Sequence, residues 1–214
     1  MKYIKKYNLF EEESKILSSQ DMLSIQFEEL DFQGDWLELF GQPAPSFDFM
    51  LDGGAGDGKT TFLIKFAKYL AVNFGKVLYI SSEEFGTSTL NKKIEEIQAI
   101  HDNLFWTENL KHNLEEYDFI IIDSVNDLKL KLSQYKYLRE EYPLTAFILS
   151  VQHTKAGDYR GGKDWEHEVE IAGTIEEGVV SIYKNRYGVK GELNSFEPIS
   201  SIPKEKKERD IKKD

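Results

Sequence analysis

The glycine-rich segment at residues 53–60 constrains the fold of this chain more than any other feature. It reads Gly53-Gly54-Ala55-Gly56-Asp57-Gly58-Lys59-Thr60 and matches the pattern G-x-x-x-x-G-K-[ST] in full. Glycines let the backbone wrap closely around phosphates and point several N–H groups at them. A helix that begins here presents its positive N-terminal end to the same anion. The pattern therefore predicts a phosphate-binding loop between a strand and a helix.

The polar side chains of this loop predict its ligands. Lys59 supplies a positive charge for the β- and γ-phosphates of a nucleoside triphosphate, and the Thr60 hydroxyl is a ligand for Mg²⁺. We assign the whole loop and the adjoining Thr61 to nucleotide binding, with ATP and Mg²⁺ as the expected ligands. Asp57 is unusual because it places an acid two residues from the lysine. We expect its side chain to point to solvent, since this position of the loop contributes backbone.

Short apolar segments that alternate with helical patterns predict the fold class. The predicted strands are Phe47–Leu51, Lys76–Ser81, Phe119–Asp123, Thr145–Gln152 and Val179–Tyr183. Apolar residues at helical spacing predict helices over Thr60–Phe74, Thr89–Ile100 and Val125–Glu141. Strands that alternate with helices require crossover connections. The predicted class is α/β, with a mostly parallel central sheet and helices on both faces.

Two strand ends offer carboxylates for nucleotide chemistry. The third predicted strand ends on Asp123, and a buried strand that delivers an aspartate at its C-terminal end suits the Mg²⁺ site of a P-loop protein. Many hydrolytic P-loop enzymes carry a water-activating glutamate at the next position, which is Ser124 here. The pair Glu83 and Glu84 follows the second predicted strand instead. A carboxylate there can accept a hydrogen bond from water, and we predict Glu83 for this role, with Glu84 second.

These residues together resemble the RecA-type ATPase core, and most closely the RadA branch of bacterial recombination proteins, which is related to the cores of DnaB-type helicases. Three segments carry the resemblance: Ser81-Ser82-Glu83-Glu84, Ile122-Asp123-Ser124-Val125 and Lys184-Asn185-Arg186-Tyr187-Gly188. The last is similar to the Lys-Asn-Arg-Phe-Gly signature of RadA. The resemblance covers residues 47–188, and RadA's cysteine zinc module has no counterpart because the chain has no cysteine.

The resemblance implies roles for residues further along the chain. Gln152 ends a strand on the same sheet edge as Asp123, and RecA-like proteins use such a glutamine to sense the γ-phosphate. Lys184 and Arg186 would reach across a subunit interface to a neighbour's γ-phosphate, which implies a homo-oligomeric ring or filament. The alternatives are a capping polar residue at Gln152 and two ordinary surface charges at Lys184 and Arg186.

The loop at residues 153–165 is the candidate contact for nucleic acid. It contains Lys155, Arg160 and Lys163, three glycines, and the aromatic residues Tyr159 and Trp165. Basic side chains and flanking rings suit single-stranded DNA, where charge follows the backbone and rings stack on bases. By position the loop resembles the second DNA-binding loop of RecA-like proteins. A solvent-exposed active-site loop is an equally good interpretation.

Composition limits the classes of function. The chain has 27 basic and 38 acidic residues and a net charge of −11, which argues against a surface that clamps a phosphate backbone as a whole. The absence of cysteine excludes disulfide scaffolds and thiol catalysis. No apolar run approaches the length of a membrane-spanning helix, which needs about 18 residues. Acidic residues follow the basic N-terminus where a signal peptide needs an apolar stretch, so we expect no membrane association and a cytoplasmic location.

We predict three regions in the chain. Residues 1–46 form an acidic N-terminal extension or linker, residues 47–200 form the RecA-like ATPase core, and residues 201–214 form a charged tail that we expect to be disordered. Within the extension, Trp36–Phe40 is apolar enough to pack on the core or on a neighbouring subunit.

The leading functional hypothesis is a Mg²⁺-dependent, oligomeric ATPase that acts on single-stranded DNA in recombination, repair or replication. One alternative is a nucleotide-switched assembly or regulatory ATPase that does not bind DNA. Another is a stand-alone helicase motor similar to DnaB.

Overall fold

The computed structural model of this chain describes residues 16–152 and 164–201. The helices are α1 (Ser19–Ser24), α2 (Asp35–Phe40), α3 (Lys59–Asn73), α4 (Ser88–Ile97), α5 (Leu132–Glu141) and α6 (Asp164–Glu168). The strands are β1 (Phe49–Gly53), β2 (Val77–Ser81), β3 (Leu104–Thr107), β4 (Phe119–Asp123), β5 (Ala146–Gln152), β6 (Ile171–Glu176), β7 (Val179–Asn185) and β8 (Glu192–Asn194). No helix in these ranges is long and apolar enough to cross a bilayer.

The eight described strands form one sheet in the order β3-β2-β4-β5-β1-β6-β7-β8. The first six strands of this order are parallel, and β7 and β8 are antiparallel to their neighbours. Parallel strands bring their C-terminal ends to the same edge of a sheet. The ends of β1, β2, β4 and β5 therefore lie side by side, with β5 between β1 and β4. The predicted α/β class and mostly parallel sheet are confirmed.

Each face of the sheet is buried under helices. In β4, Phe119 and Ile121 belong to one apolar cluster together with α3, whereas Ile120 and Ile122 belong to a second cluster with Tyr135 of α5. This division follows from the alternation of side chains along a strand. Near-continuous apolar runs are the expected pattern for parallel strands that are covered on both faces. The prediction of helices on both faces is confirmed.

The predicted helix Val125–Glu141 is wrong over its first half, since α5 begins at Leu132. Residues 125–130 form turns in which Ser124 Oγ donates to the Asp127 carboxylate at 2.5 Å. Lys129 has a left-handed φ of 54°, and Leu130 N donates to Val125 O at 3.1 Å. Serine and aspartate side chains that bond to nearby groups compete with helical hydrogen bonds, which explains the difference.

Residues 30–40 pack into the main core. Trp36 of α2 stacks on Phe66 of α3 with 5.0 Å between ring centroids, and Phe40 stacks on the same ring at 4.9 Å. Asp35 N also donates to Ser200 O at 2.9 Å, and Ser200 N donates to Asp35 Oδ2 at 2.7 Å. Of the two contacts expected for Trp36–Phe40, the described structure contains the one with the core. The division of the chain at residue 46 stays a prediction.

A buried ion pair fixes the beginning of β1, at the opposite end from the glycine-rich loop. Asp48 is fully buried, and its Oδ2 lies 2.5 Å from Arg139 Nε of α5. The same oxygen accepts a hydrogen bond from Tyr135 at 2.6 Å, and Oδ1 accepts one from Phe147 N at 3.1 Å. Burial raises the pKa of Asp48 to about 7, although the Arg139 guanidinium opposes this shift. These contacts tie α5 to the strand that leads into the loop.

Candidate nucleotide-binding site

A cleft of about 350 Å³ lies at the C-terminal ends of β1, β2, β4 and β5. Most of the site residues that the sequence predicts line this cleft, although they follow different strands. They are Ala55, Gly56, Gly58, Lys59, Thr60, Thr61, Glu83, Glu84, Asp123 and Gln152. The edge of a parallel sheet where loops follow the strands is the usual position of a ligand site in α/β proteins.

The backbone of the loop needs its glycines. Gly56 and Gly58 have φ values of 89° and 100°, in the left-handed region that favours glycine. A Cβ at Gly53 would lie 2.7 Å from the carbonyl oxygen of Ile175 in β6. Gly178, in the turn between β6 and β7, donates its N–H to Asp57 O at 2.9 Å and holds the loop from outside. The loop is followed directly by α3, whose first residues line the cleft. The backbone N–H groups of a first helical turn have no partner within the helix and are free to bind a ligand.

Lys59 is buried at the start of α3 and bonds back to the loop. Its ammonium donates to Gly53 O at 2.8 Å and to Gly54 O at 2.5 Å. Burial lowers the pKa of Lys59, and the nearby Asp123 and Asp57 carboxylates oppose that shift. The ammonium thus lies within the loop, where the phosphates of a nucleotide would be bound.

The Asp57 side chain does not point simply to solvent, and this prediction is wrong. Its Oδ2 accepts a hydrogen bond from Gly54 N at 2.6 Å, and the residue is half-buried. Loop amides are the groups that bind phosphate in this type of site. The Asp57 carboxylate therefore accepts a hydrogen bond from one of the loop N–H groups and adds negative charge beside Lys59.

Thr60 and Asp123 form a compact oxygen site. Thr60 Oγ1 donates to Asp123 Oδ2 at 2.8 Å, although β1, the strand that leads into the loop, is separated from β4 by β5. Tyr79 of β2 donates its hydroxyl to the same oxygen, also at 2.8 Å. Burial raises the pKa of Tyr79 well above its usual value, with Asp123 adding to the shift, so the hydroxyl is a neutral donor. Hydroxyl and carboxylate oxygens are the ligands that Mg²⁺ prefers, so these residues fit that ion.

The two glutamates after β2 differ in their contacts. Both oxygens of Glu84 lie 2.8 Å from Lys93 Nζ of α4, which fixes this carboxylate in an ion pair. Glu83 is exposed at the cleft, and in the described part of the chain its carboxylate has no hydrogen-bond partner. Glu83 is therefore the carboxylate of the pair that can bond to water in the cleft.

Gln152 lies at the end of β5, between the loop strand and the Asp123 strand. Its backbone N–H donates to Asn126 Oδ1 at 2.7 Å, which fixes the strand end, and its side chain lines the cleft. Sequence reasoning missed both Asn126 and the hydroxyl of Tyr79. A tyrosine within an apolar strand next to a metal-side aspartate is a signal that could have identified Tyr79.

Lys184 and Arg186 do not line the cleft of their own chain. The Lys184 ammonium donates to the backbone carbonyls of Glu166 and Val169, the latter at 2.8 Å. Burial lowers its pKa, and Arg186 adds to the shift. Arg186 is exposed. Their role in a neighbouring subunit stays a prediction. Lys155, Arg160 and Lys163, the candidate nucleic-acid contacts, lie outside the described residues.

The known proteins with similar sequences are DNA repair proteins. The DNA repair protein RadA of Campylobacter jejuni is 28% identical over 176 residues, which cover 69% of this chain and 39% of that protein. RadA of Helicobacter pylori strain J99 is 26% identical over 176 residues, with 70% and 39% covered. The chain thus spans well under half the length of these relatives. No family model matches the chain.

A solved structure has the same fold. The flagellar accessory protein FlaH from Methanocaldococcus jannaschii superposes with a TM-score of 0.59 at 13% identity, covering 78% of this chain and 92% of FlaH. This chain thus shares the fold of FlaH, and the predicted resemblance to RadA is confirmed by these relatives.

Proposed function

We propose that this chain binds and hydrolyses ATP with the help of Mg²⁺. The observation that carries the proposal is the contact between Thr60 Oγ1 and Asp123 Oδ2, beside Lys59 of a complete phosphate loop. A hydroxyl, a carboxylate and a buried ammonium at one strand edge match the needs of a nucleotide–metal complex. The likeness to RadA supports the same activity.

The residues of the cleft have different roles in phosphoryl transfer. The loop amides and Lys59 would bind the β- and γ-phosphates, and Thr60 and Asp123 would hold the metal. Bound Mg²⁺ would neutralise the charge that develops on the phosphate oxygens. The Tyr79 hydroxyl keeps Asp123 oriented toward the loop, which makes Tyr79 a positioning residue.

Glu83 accepts a hydrogen bond from the attacking water and orients it. Among the residues that the structure describes, its carboxylate has no hydrogen-bond partner, whereas Glu84 is bound to Lys93, which supports Glu83 for this role. Gln152 contacts the γ-phosphate of the nucleotide from the end of β5, which lies between β1 and β4.

The last component is a positive charge from a second subunit. A cation supplied by a neighbour stabilises the charge of the transition state and couples hydrolysis to assembly. Lys184 and Arg186 are the candidates, and their location outside their own cleft supports this arrangement. The active form is then a ring or filament.

Paired variants test the assignment. Lys59→Ala should abolish ATP turnover, and full activity in this variant would refute the proposal. Glu83→Gln should bind ATP but hydrolyse it about 100-fold more slowly, which is the low end of the usual contribution of such a group. Glu84→Gln is the matched control and should retain most turnover. If Glu84→Gln loses as much turnover as Glu83→Gln, both carboxylates, and not Glu83 alone, are needed to orient the water.

We also propose that the ATPase acts on single-stranded DNA in recombination, repair or replication, with Lys155, Arg160 and Lys163 as contacts. The RadA relatives are DNA repair proteins, which supports a DNA substrate. The net charge of −11 favours a second candidate, a nucleotide-switched assembly module that does not bind DNA.

Titration of labelled single-stranded DNA with ATP, at several salt concentrations, distinguishes these two candidates. Salt-sensitive binding that stimulates hydrolysis supports the DNA role, because release of counterions makes phosphate contacts salt-dependent. No binding at low salt supports the assembly module. Strand displacement by the protein alone would instead indicate a helicase motor similar to DnaB.

A further inference from the structure

An exposed aromatic ring lies beside the phosphate loop. Phe196, which follows β8, lines the same cleft as Lys59 and Thr61, and 57% of the residue is accessible to solvent. An exposed phenyl ring at a ligand cleft has apolar surface that is available to a planar partner.

Two glycines allow this ring to approach the loop. A Cβ at Gly58 would lie 3.0 Å from Cε1 and Cζ of Phe196, and a Cβ at Gly178 would lie 2.3 Å from Cδ2. Both glycines have positive φ values, 100° and 83°. The ring therefore packs against the backbone of both glycines, and at Gly178 it lies at a distance that a side chain there would prevent.

The segment that carries the ring is fixed on both sides. Lys65 of α3 donates to Ser195 O at 2.7 Å and to Glu197 O at 2.9 Å, the residues that flank Phe196. Ser195 N donates to Gly178 O at 2.7 Å, and Gly178 N in turn donates to Asp57 O of the loop at 2.9 Å. The ring is thus held in one place relative to the phosphate-binding backbone before any ligand arrives.

We propose that Phe196 is the stacking platform for the base of the bound nucleotide. This inference rests on the proposed function, because it needs a nucleotide whose phosphates lie in the loop. Every nucleobase has a π face, and stacking of a base on an aromatic side chain is a substantial source of affinity. The phosphates then bind through the loop and the base binds through Phe196, so the site selects a nucleotide over a bare polyphosphate.

The experiment compares two probes, ATP and inorganic tripolyphosphate, on wild-type protein and variants in the presence of Mg²⁺. Phe196→Ala should raise the Kd for ATP about 5-fold to 100-fold, the range that loss of one base–aromatic stack produces. Its Kd for tripolyphosphate should stay at the wild-type value. KM for ATP should rise while kcat changes little, and Phe196→Tyr should restore ATP affinity.

Two further variants make the result specific. Lys65→Met removes the bonds on both sides of Phe196 without touching the ring, and it should also weaken ATP but not tripolyphosphate. Phe105→Ala is the matched control, since Phe105 is an exposed phenylalanine of edge strand β3 that packs on Tyr117, outside the cleft. It should leave both affinities unchanged.

The outcomes separate this inference from the proposed function. Unchanged ATP affinity in Phe196→Ala overturns the stacking role. Equal weakening of ATP and tripolyphosphate also overturns it, because the ring would then act on the loop alone. If Phe196→Ala alters only self-association, the ring is a subunit contact and the stacking role is refuted. Failure of the wild-type protein to bind ATP overturns the proposed function itself.

Discussion

Replacing Arg139 with methionine should lower the free energy of unfolding by about 3 kcal/mol at pH 8, since breaking a buried pair from one side typically costs 3–5 kcal/mol. Asp48 is fully buried, and the Arg139 side chain is only 20% exposed. Methionine keeps much of the apolar stem and removes the charge. Asp48 would then retain Tyr135 and Phe147 N as donors, without a compensating positive charge.

The loss should depend on pH with a defined sign. Burial raises the pKa of Asp48 from 3.8 to about 7, so the folded protein binds this proton more tightly than the unfolded chain does. Stability is therefore lost as the pH rises from the unfolded value through the folded one. Arg139 reduces this loss because it stabilises the ionised carboxylate. The effect of Arg139→Met should be largest above pH 7 and smaller at pH 5.5, where Asp48 is protonated in both proteins and the variant loses only the hydrogen bonds from Arg139 Nη1 to Ser46 O and Thr145 O.

Urea unfolding of both proteins at pH 8 and pH 5.5 measures this difference. Lys136→Met on the same helix is the matched control, because the Lys136–Glu168 pair is at the surface, with side chains 49% and 33% exposed. Surface pairs contribute about 0–1 kcal/mol, so this variant should change little at either pH. A loss in Arg139→Met that equals the control, or that grows as the pH falls, would refute the reasoning.

Two further variants test the cleft. Tyr79→Phe removes one donor to Asp123 without changing side-chain shape, and it should raise the Mg²⁺ concentration for half-maximal turnover about 10-fold; an unchanged Mg²⁺ titration would contradict the positioning role. Asp57→Asn removes a negative charge beside the phosphate site but keeps an acceptor for Gly54 N. It should tighten ATP binding by roughly fivefold at low salt, with a smaller gain at high salt, as nucleotide titrations would measure. Weaker binding would show that the Asp57 charge supports the loop.

The strand ends are the part of the site that the sequence predicts well. β4 has the bounds of the predicted strand Phe119–Asp123, and Gln152 lies in β5 as predicted. Buried parallel strands are apolar along their length, so the first polar residue marks the sheet edge where ligands bind. A local pattern therefore identifies residues that meet only in the folded protein.

Other features depend on contacts that no local pattern contains. The position of Phe196 is set by Gly178 and by Lys65 of α3, which are distant in the chain. The partner of Arg139 is Asp48, which is likewise distant from it in the chain. The error at residues 125–130 has a different origin, because side-chain hydrogen bonds of Ser124 replace helical ones there.

The paired hydrogen bonds between Asp35 and Ser200 have a topological consequence. They bring the start of α2 next to the last described residues of the chain. A domain fused after Ser200 would emerge beside α2, adjacent in space to whatever precedes that helix.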